Sequence, residues 1–224
     1  VFQAMSLTHK WDDTLAEKIK EEESKVDQYE DALGTYLVKL SGRELNHADS
    51  QSVNTLLHTI SDFERISDHA MNLAEVAREI YEKDIRFTDA AQRELDVLRT
   101  AVSEIVSLVV GAFIGNDLEM ALRVEPLEDT IDGLCDEMKL HHVDRLQKGV
   151  CTLSQGFVFN DLLTNYERVA DHCSNIAGCV IDARAHNLNL HETLRQAKTA
   201  DGSFQQTYES YVEKYQLPVP SSNV

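Results

Sequence analysis

One pattern of thirteen residues occurs twice in this chain. Residues 63–75 read Phe-Glu-Arg-Ile-Ser-Asp-His-Ala-Met-Asn-Leu-Ala-Glu, and residues 166–178 read Tyr-Glu-Arg-Val-Ala-Asp-His-Cys-Ser-Asn-Ile-Ala-Gly. Glu, Arg, Asp, His, Asn and Ala recur at an offset of 103 residues. Self-similarity of this kind restricts the fold to two copies of one unit and makes the shared polar residues the first candidates for function. The repeat also extends upstream. At an offset of 105, Asp117–Asp132 overlies Asp12–Asp27, so that Met120, Ala121, Val124, Glu128, Ile131 and Asp132 match Leu15, Ala16, Ile19, Glu23, Val26 and Asp27. The change from 105 to 103 predicts a connector two residues shorter in the second copy.

The unit is helical. Only 9 Gly and 3 Pro are present, and the prolines are Pro126, Pro218 and Pro220, so little interrupts helix before the tail. Apolar side chains at helical spacing predict helices over about 14–40, 52–82, 90–114, 118–147 and 154–185. A sixth, short helix is predicted around the aromatic stripe of Phe204, Tyr208, Tyr211 and Tyr215, after a polar loop and before a tail that frays. Gly42, Gly115-Asn116 and Gly149 mark the stops, and Thr88-Asp89 marks a start. The expected organisation is all-α, with tandem three-helix units at 1–86 and 87–186 and a loop, short helix and tail over 187–224. The offset of 105 sets Val1–Leu7 on Val106–Ala112, so the first copy lacks most of its opening helix. The chain opens at Val1 in helix-compatible sequence, which reads as a piece of a larger protein. Whether the aromatic helix replaces the absent one is open at this stage.

Charge excludes one class of partner. With 39 acidic against 21 basic residues the net charge is −18, and no basic stripe is present to neutralise a phosphate backbone, so nucleic acid is not expected. Cys135, Cys151, Cys173 and Cys179 show no zinc-finger spacing and read as reduced thiols. The longest apolar run, Ile105–Ile114, falls short of the ~20 residues of a membrane span, and no signal peptide is visible.

The acids carry the functional signal. Two residues four apart on a helix lie ~40° apart, so Glu23 with Asp27 and Glu64 with Asp68 each form a double carboxylate on one edge. Both pairs flank the apolar stripe of their helix in the same sense, and consecutive helices joined by a short turn are antiparallel. Residues 25 and 66 are equidistant from the connector near Gly42–Ser50, so the four carboxylates are expected level and close together. Glu128, Asp132, Glu167 and Asp171 repeat the arrangement around Gly149. Close carboxylates repel unless protons or cations neutralise them, and oxygen-only clusters suit hard cations such as Fe³⁺, Mn²⁺, Mg²⁺ or Ca²⁺. Two acidic metal clusters are therefore expected. The competing reading is a polar interhelix network in which Arg65 and Arg168 neutralise the acids. Asn72 and Asn175 continue the same edge and offer an amide oxygen, whereas His69 and His172 lie about 100° from the neighbouring Asp, which points to a supporting or structural role at least as much as to ligation; with Arg65 and Arg168 these residues are the candidates for supporting the acids from outside. A ferritin-like di-iron site needs Glu-x-x-His on two helices, and only Glu44–His47 has that form. No phosphate loop, nucleophile elbow or His-Glu-x-x-His is present, so an enzyme is not expected.

These residues resemble the PhoU family, whose hallmark is a pair of three-helix units with Glu/Asp-x-x-x-Asp motifs. The matching stretches are Glu64-Arg65-Ile66-Ser67-Asp68-His69 with Asn72-Leu73-Ala74, and Glu167-Arg168-Val169-Ala170-Asp171-His172 with Asn175-Ile176-Ala177. They are preceded by Glu23/Asp27 and Glu128/Asp132. Ser67 and Ala170 stand where the family has Gly. The resemblance implies multinuclear iron or zinc clusters and a regulatory role in phosphate uptake. The short opening helix and aromatic tail look most like the cytoplasmic C-terminal domain of a sodium/phosphate cotransporter, which implies a membrane-domain partner in cis and a place at the inner face of the plasma membrane. The alternative is a free-standing adaptor, also able to form a homodimer, that acts in trans on a phosphate transporter or sensor kinase.

Overall fold

Short polar side chains start the helices, and the one expected over 52–82 begins five residues earlier, at His47, because Asn46 caps it. The Asp12 carboxylate accepts from the Leu15 amide, Asn46 from Asp49, Thr88 from Ala91 and Asp117 from Met120, each satisfying one of the orphan donors of a first turn. The computed structural model describes residues 1–185 and 202–218. Its helices are α1 (Phe2–Leu7), α2 (Asp13–Ser41), α3 (His47–Glu82), α4 (Asp89–Gly115), α5 (Leu118–Leu122), α6 (Val124–Gln147), α7 (Leu153–Ala185) and α8 (Gly202–Lys214). The described residues contain no strand, and the fold is all-α. Most of the predicted loop after α7, and the end of the tail, lie outside the described residues.

One further departure from the sequence expectation has a physical cause. The helix expected over 118–147 is divided at Arg123 into α5 and α6. Pro126 has no N–H to give the Leu122 carbonyl, so the helical ladder cannot run through this point. Asn116 takes a left-handed conformation (φ 47°) to end α4, and Gly149 (φ 69°) does so between α6 and α7.

The hairpins α2/α3 and α6/α7 are the two copies, and the broadest interface joins α3 to α7, the two helices that carry the thirteen-residue pattern. Helix α4 fills the second copy: Leu95, Leu98, Val102, Ile105 and Val109 are fully buried against α6 and α7, each such side chain contributing about 1.5–3 kcal/mol. By length and mean hydropathy α4 could cross a membrane, contrary to the expectation from the run Ile105–Ile114, which Ser107 interrupts, yet half of that stretch is buried inside the bundle. It also carries Glu94, which receives both Arg145 Nη1 contacts at 2.9 and 2.8 Å and sits 2.9 Å from His141 Nδ1. Opposite that core helix the first copy has only the six residues of α1.

Helix α8 does not take the place of a first helix in copy one. It packs on α6 of copy two and is tied to α4, whose Glu104 meets Lys214 Nζ at 2.6 Å and accepts from Tyr215, while Arg123 donates to the Tyr211 hydroxyl at 3.3 Å.

Candidate metal centres

The hairpin geometry brings three acids of each copy together. One carboxylate oxygen from each of Glu23, Asp27 and Asp68 lies within 4.8 Å of the others, and Glu128, Asp132 and Asp171 form the same triad in copy two. The two sets are equivalent under the repeat. Glu64 and Glu167 stand beside the triads rather than in them: Arg65 spans Glu64 and Asp68, and Glu167 accepts from Lys139 Nζ at 3.1 Å.

The electrostatics record the crowding. Partial burial, then the charges of Asp27 and Asp68, raise the Glu23 carboxyl above its ordinary range. Burial followed by Asp68 does the same to Glu64. Asp132 is pushed up to about 6 by burial and then by Asp171, Glu167, Asp129 and Asp136. Its Oδ1 is closed off from solvent and has no hydrogen-bond partner among the described residues. A cation would fit this orphaned oxygen. It would receive only hard oxygen donors, because burial keeps the Cys135 and Cys173 thiols protonated by raising them far above their usual range.

The arginines also do what the competing reading requires. Arg65 Nη1 lies 3.2 Å from Asp68 and its Nε 3.6 Å from Glu64, while Arg168 Nη1 lies 3.0 Å from Asp171. Both side chains are largely exposed, and each meets a single oxygen of its Asp.

The histidines belong elsewhere. His69 and His172 stack at 5.7 Å between ring centroids across the α3/α7 seam. His69 Nδ1 pairs with Asn165 Oδ1 and His172 Nδ1 with Asp62 Oδ1, both at 2.9 Å, and Asn175 donates to the same Asp62 oxygen at 3.1 Å. These contacts give both rings a structural place in joining the two copies, and Asn175 meets the same partner there. Asn72 is exposed. The turn of about 100° per residue that places Asp68 on the hairpin edge places His69 on the seam.

Several neighbours escaped the sequence reading. Lys139 bridges Glu167 and, at 3.3 Å, Asp136; its counterpart in copy one is Gly34. Glu125, Glu128 and Asp129 form a second carboxylate triad on α6, with Glu125 accepting from Ser174. Their i, i+3, i+4 spacing was the available signal, and copy one has Lys20 and Ser24 in place of Glu125 and Asp129. Asp62 and Asn165 share the 103-residue offset of the pattern and lie just before it.

The PhoU domain family matches this chain over residues 1–77 and 95–180. The chain is 26% identical over 185 residues to the phosphate-specific transport system accessory protein PhoU homolog 1 of Thermotoga maritima, covering 82% of this chain and 78% of that protein. It is 26% identical over 172 residues to the corresponding homolog of Borreliella burgdorferi, covering 74% and 76%. The crystal structure of PhoU from Pseudomonas aeruginosa superposes with a TM-score of 0.76 at 23% identity, covering 83% of this chain and 88% of that one. The phosphate transport system regulatory protein PhoU from Streptococcus pneumoniae superposes at 0.68 with 16% identity, covering 84% and 89%. These likenesses support the all-α bundle independently of the periodicity.

Proposed function

The chain belongs to the PhoU family, and on that premise we propose that it regulates phosphate transport as a metal-binding accessory protein rather than an enzyme. The observation that carries the reading is the twice-built triad, Glu23/Asp27/Asp68 and Glu128/Asp132/Asp171. Three close carboxylates on partly buried helix edges are costly when ionised and bare, and a cation relieves that cost. The residues that would hold it are those six, with Glu64 and Glu167 at the margin and Arg65 and Arg168 closing the solvent side. Oxygen-only donors favour ferric or manganese ions over zinc, which prefers nitrogen and sulfur.

The named relatives are accessory proteins of phosphate-specific transport systems, which supports action in trans on a separate transporter over the expectation of a cotransporter's own cytoplasmic domain. We place the protein in the cytoplasm, at the inner face of the membrane that carries its partner, and a homodimer is compatible with this role.

The test has two arms. Protein purified without chelator is expected to carry iron or manganese, and the double variant Asp68→Asn/Asp171→Asn to lose most of it. Cells carrying that variant in place of the natural chain are expected to lose control of phosphate uptake. Full metal content in the double variant refutes the sites. Unchanged uptake when the gene is deleted refutes the regulatory role, and a continuous reading frame from transport helices into Val1 would turn the partner from trans to cis.

A further inference from the structure

Where α8 packs on copy two, two cations and two phenols converge on one carboxylate. Glu104 Oε2 meets Lys214 Nζ at 2.6 Å and accepts from the Tyr215 hydroxyl. Its Oε1 faces Arg123 Nη2 at 3.8 Å, too far for a hydrogen bond, and receives none among the described residues. Arg123 donates instead to the Tyr211 hydroxyl at 3.3 Å, which keeps its own proton to give. The rings of Tyr211 and Tyr215 stack, and Lys214 Nζ stands 6.0 and 5.0 Å from their centroids, which holds the ammonium beside the carboxylate. Both tyrosines are buried, whereas Lys214 and Arg123 are 52% and 47% exposed and open to a dissolved ligand. Against the opposing effect of partial burial, Lys214, Tyr215 and Arg123 hold the Glu104 carboxyl below its ordinary range, so it is ionised at neutral pH. Within the cluster two cations face one acid, a local excess of positive charge in a chain of net −18.

We propose that this cluster binds inorganic phosphate, with Glu104 Oε1 accepting the proton that the anion retains at neutral pH. An oxygen seated beside the 3.8 Å gap is within hydrogen-bond reach of both Oε1 and Arg123. A P–O–H placed there donates to Oε1 and turns a like-charge clash into a hydrogen bond, while Arg123, Lys214 and Tyr211 donate to the remaining oxygens. Sulfate has no such proton, and a phosphomonoester is mostly doubly ionised at pH 7, so both set bare negative oxygens against Glu104. The site depends on α8, which lies outside the residues matched to the PhoU domain. It gives the regulator proposed above a direct contact with phosphate, and that use of the site, unlike its chemistry, rests on the proposed function.

Calorimetric titration of the full chain, stripped of metal and in a buffer without oxyanions, reads this site apart from the acid edges. Saturable binding of inorganic phosphate is expected, with sulfate and glycerol phosphate at least about tenfold weaker. Arg123→Gln and Lys214→Met are each expected to weaken phosphate about tenfold while helicity stays native, since each removes one charge-assisted donor. Glu104→Gln separates recognition from packing: it removes the charge that repels sulfate, so sulfate and phosphate are expected to bind alike. No saturable phosphate binding by the native chain overturns the proposal. So does native affinity for sulfate or glycerol phosphate equal to that for phosphate, which would mark an adventitious anion site only, and so does phosphate affinity unchanged in both Arg123→Gln and Lys214→Met. The titration reads binding alone, so its failure leaves the regulatory role to the gene deletion described above, and failure of that role leaves the titration intact.

Discussion

The two acid edges keep the same three carboxylates in different surroundings. In copy two all three acids are partly buried and Lys139 supplies a fixed cation to Glu167, whereas in copy one Asp27 is exposed and Gly34 stands where the lysine would be. Around them the copies have diverged freely: Leu40 for Arg145, Lys20 for Glu125, Ser24 for Asp129, and a six-residue α1 for the 27-residue α4. The triad is therefore not a by-product of the packing beneath it. Where packing differs most and the acids do not, a demand made on the acids themselves is the simpler cause.

The largest test of that separation lies in the core. Glu94 and Arg145 are both buried and pair with each other in copy two, while the first copy manages with Leu40 at the arginine's position. Glu94→Leu strands the Arg145 charge and is expected to cost about 3–5 kcal/mol in urea unfolding. Glu94→Leu with Arg145→Leu imitates copy one and is expected to recover most of it. Additive losses in the double variant would mean that the pair does more than neutralise itself.

At the acid edges the comparison can be inverted. Lys139→Met removes the competing cation from copy two and is expected to tighten metal binding there roughly three- to tenfold, the scale of a half-exposed ion pair. Gly34→Lys moves the cation to copy one and is expected to weaken binding there by a similar factor. Nothing lies within 4 Å of a Cβ at Gly34, so this variant should also gain about 0.5–1 kcal/mol of metal-free stability from replacing a mid-helix glycine. Titration of each variant with manganese, followed by calorimetry, reads both effects.

The metal-free protein carries a pH signature of copy two. Asp132 titrates near 6 in the folded chain against 3.8 for the ordinary group, so its contribution to stability is full below the lower value and disappears as the pH rises past the higher one. Acidification from pH 7 to pH 5 is therefore expected to stabilise the native chain relative to Asp132→Asn, by about 1 kcal/mol once partial exposure is allowed for. His9 and His142 work in the opposite sense, since burial lowers both and they lose stability on the same descent. The difference between wild type and Asp132→Asn cancels them. A flat difference across pH 5–7 would place Asp132 in a milder setting.

What the sequence revealed and concealed divides by range. Helical phase is local, so the long helices and the common edge of Glu23, Asp27 and Asp68 were legible from spacing alone. The interruption at Arg123 was signalled by Pro126 and passed over. Lys139 was not legible, because its place depends on how far a flexible side chain reaches across to α7. The partners of His69 and His172 were hidden for a stronger reason: the seam forms only when one hairpin docks on the other, and periodicity within a helix carries nothing about that docking. Buried Glu94 and Arg145 carry no mark within their own helices that separates them from solvated charge, since only the packing of α4 on α6 brings them together.

The smallest effect is the most discriminating for the seam. Asp62 and Asn165 are equivalent under the repeat, and each meets the histidine of the other copy, His172 or His69, at 2.9 Å. The two hydrogen bonds match in length and differ in the charge of the acceptor, with Asn175 a further donor to Asp62. Asp62→Asn keeps an oxygen for His172 and Asn175 and loses charge assistance alone, at an expected cost of about 1 kcal/mol. Asn165→Asp should supply that assistance to His69 and gain a comparable amount. If α3 and α7 meet with true two-fold character, the double exchange merely moves the carboxylate from one copy to the other and leaves urea stability within about 0.5 kcal/mol of the starting chain. A large residual would show that the seam distinguishes its halves, as the acid edges do, and that the asymmetry of this molecule reaches its centre.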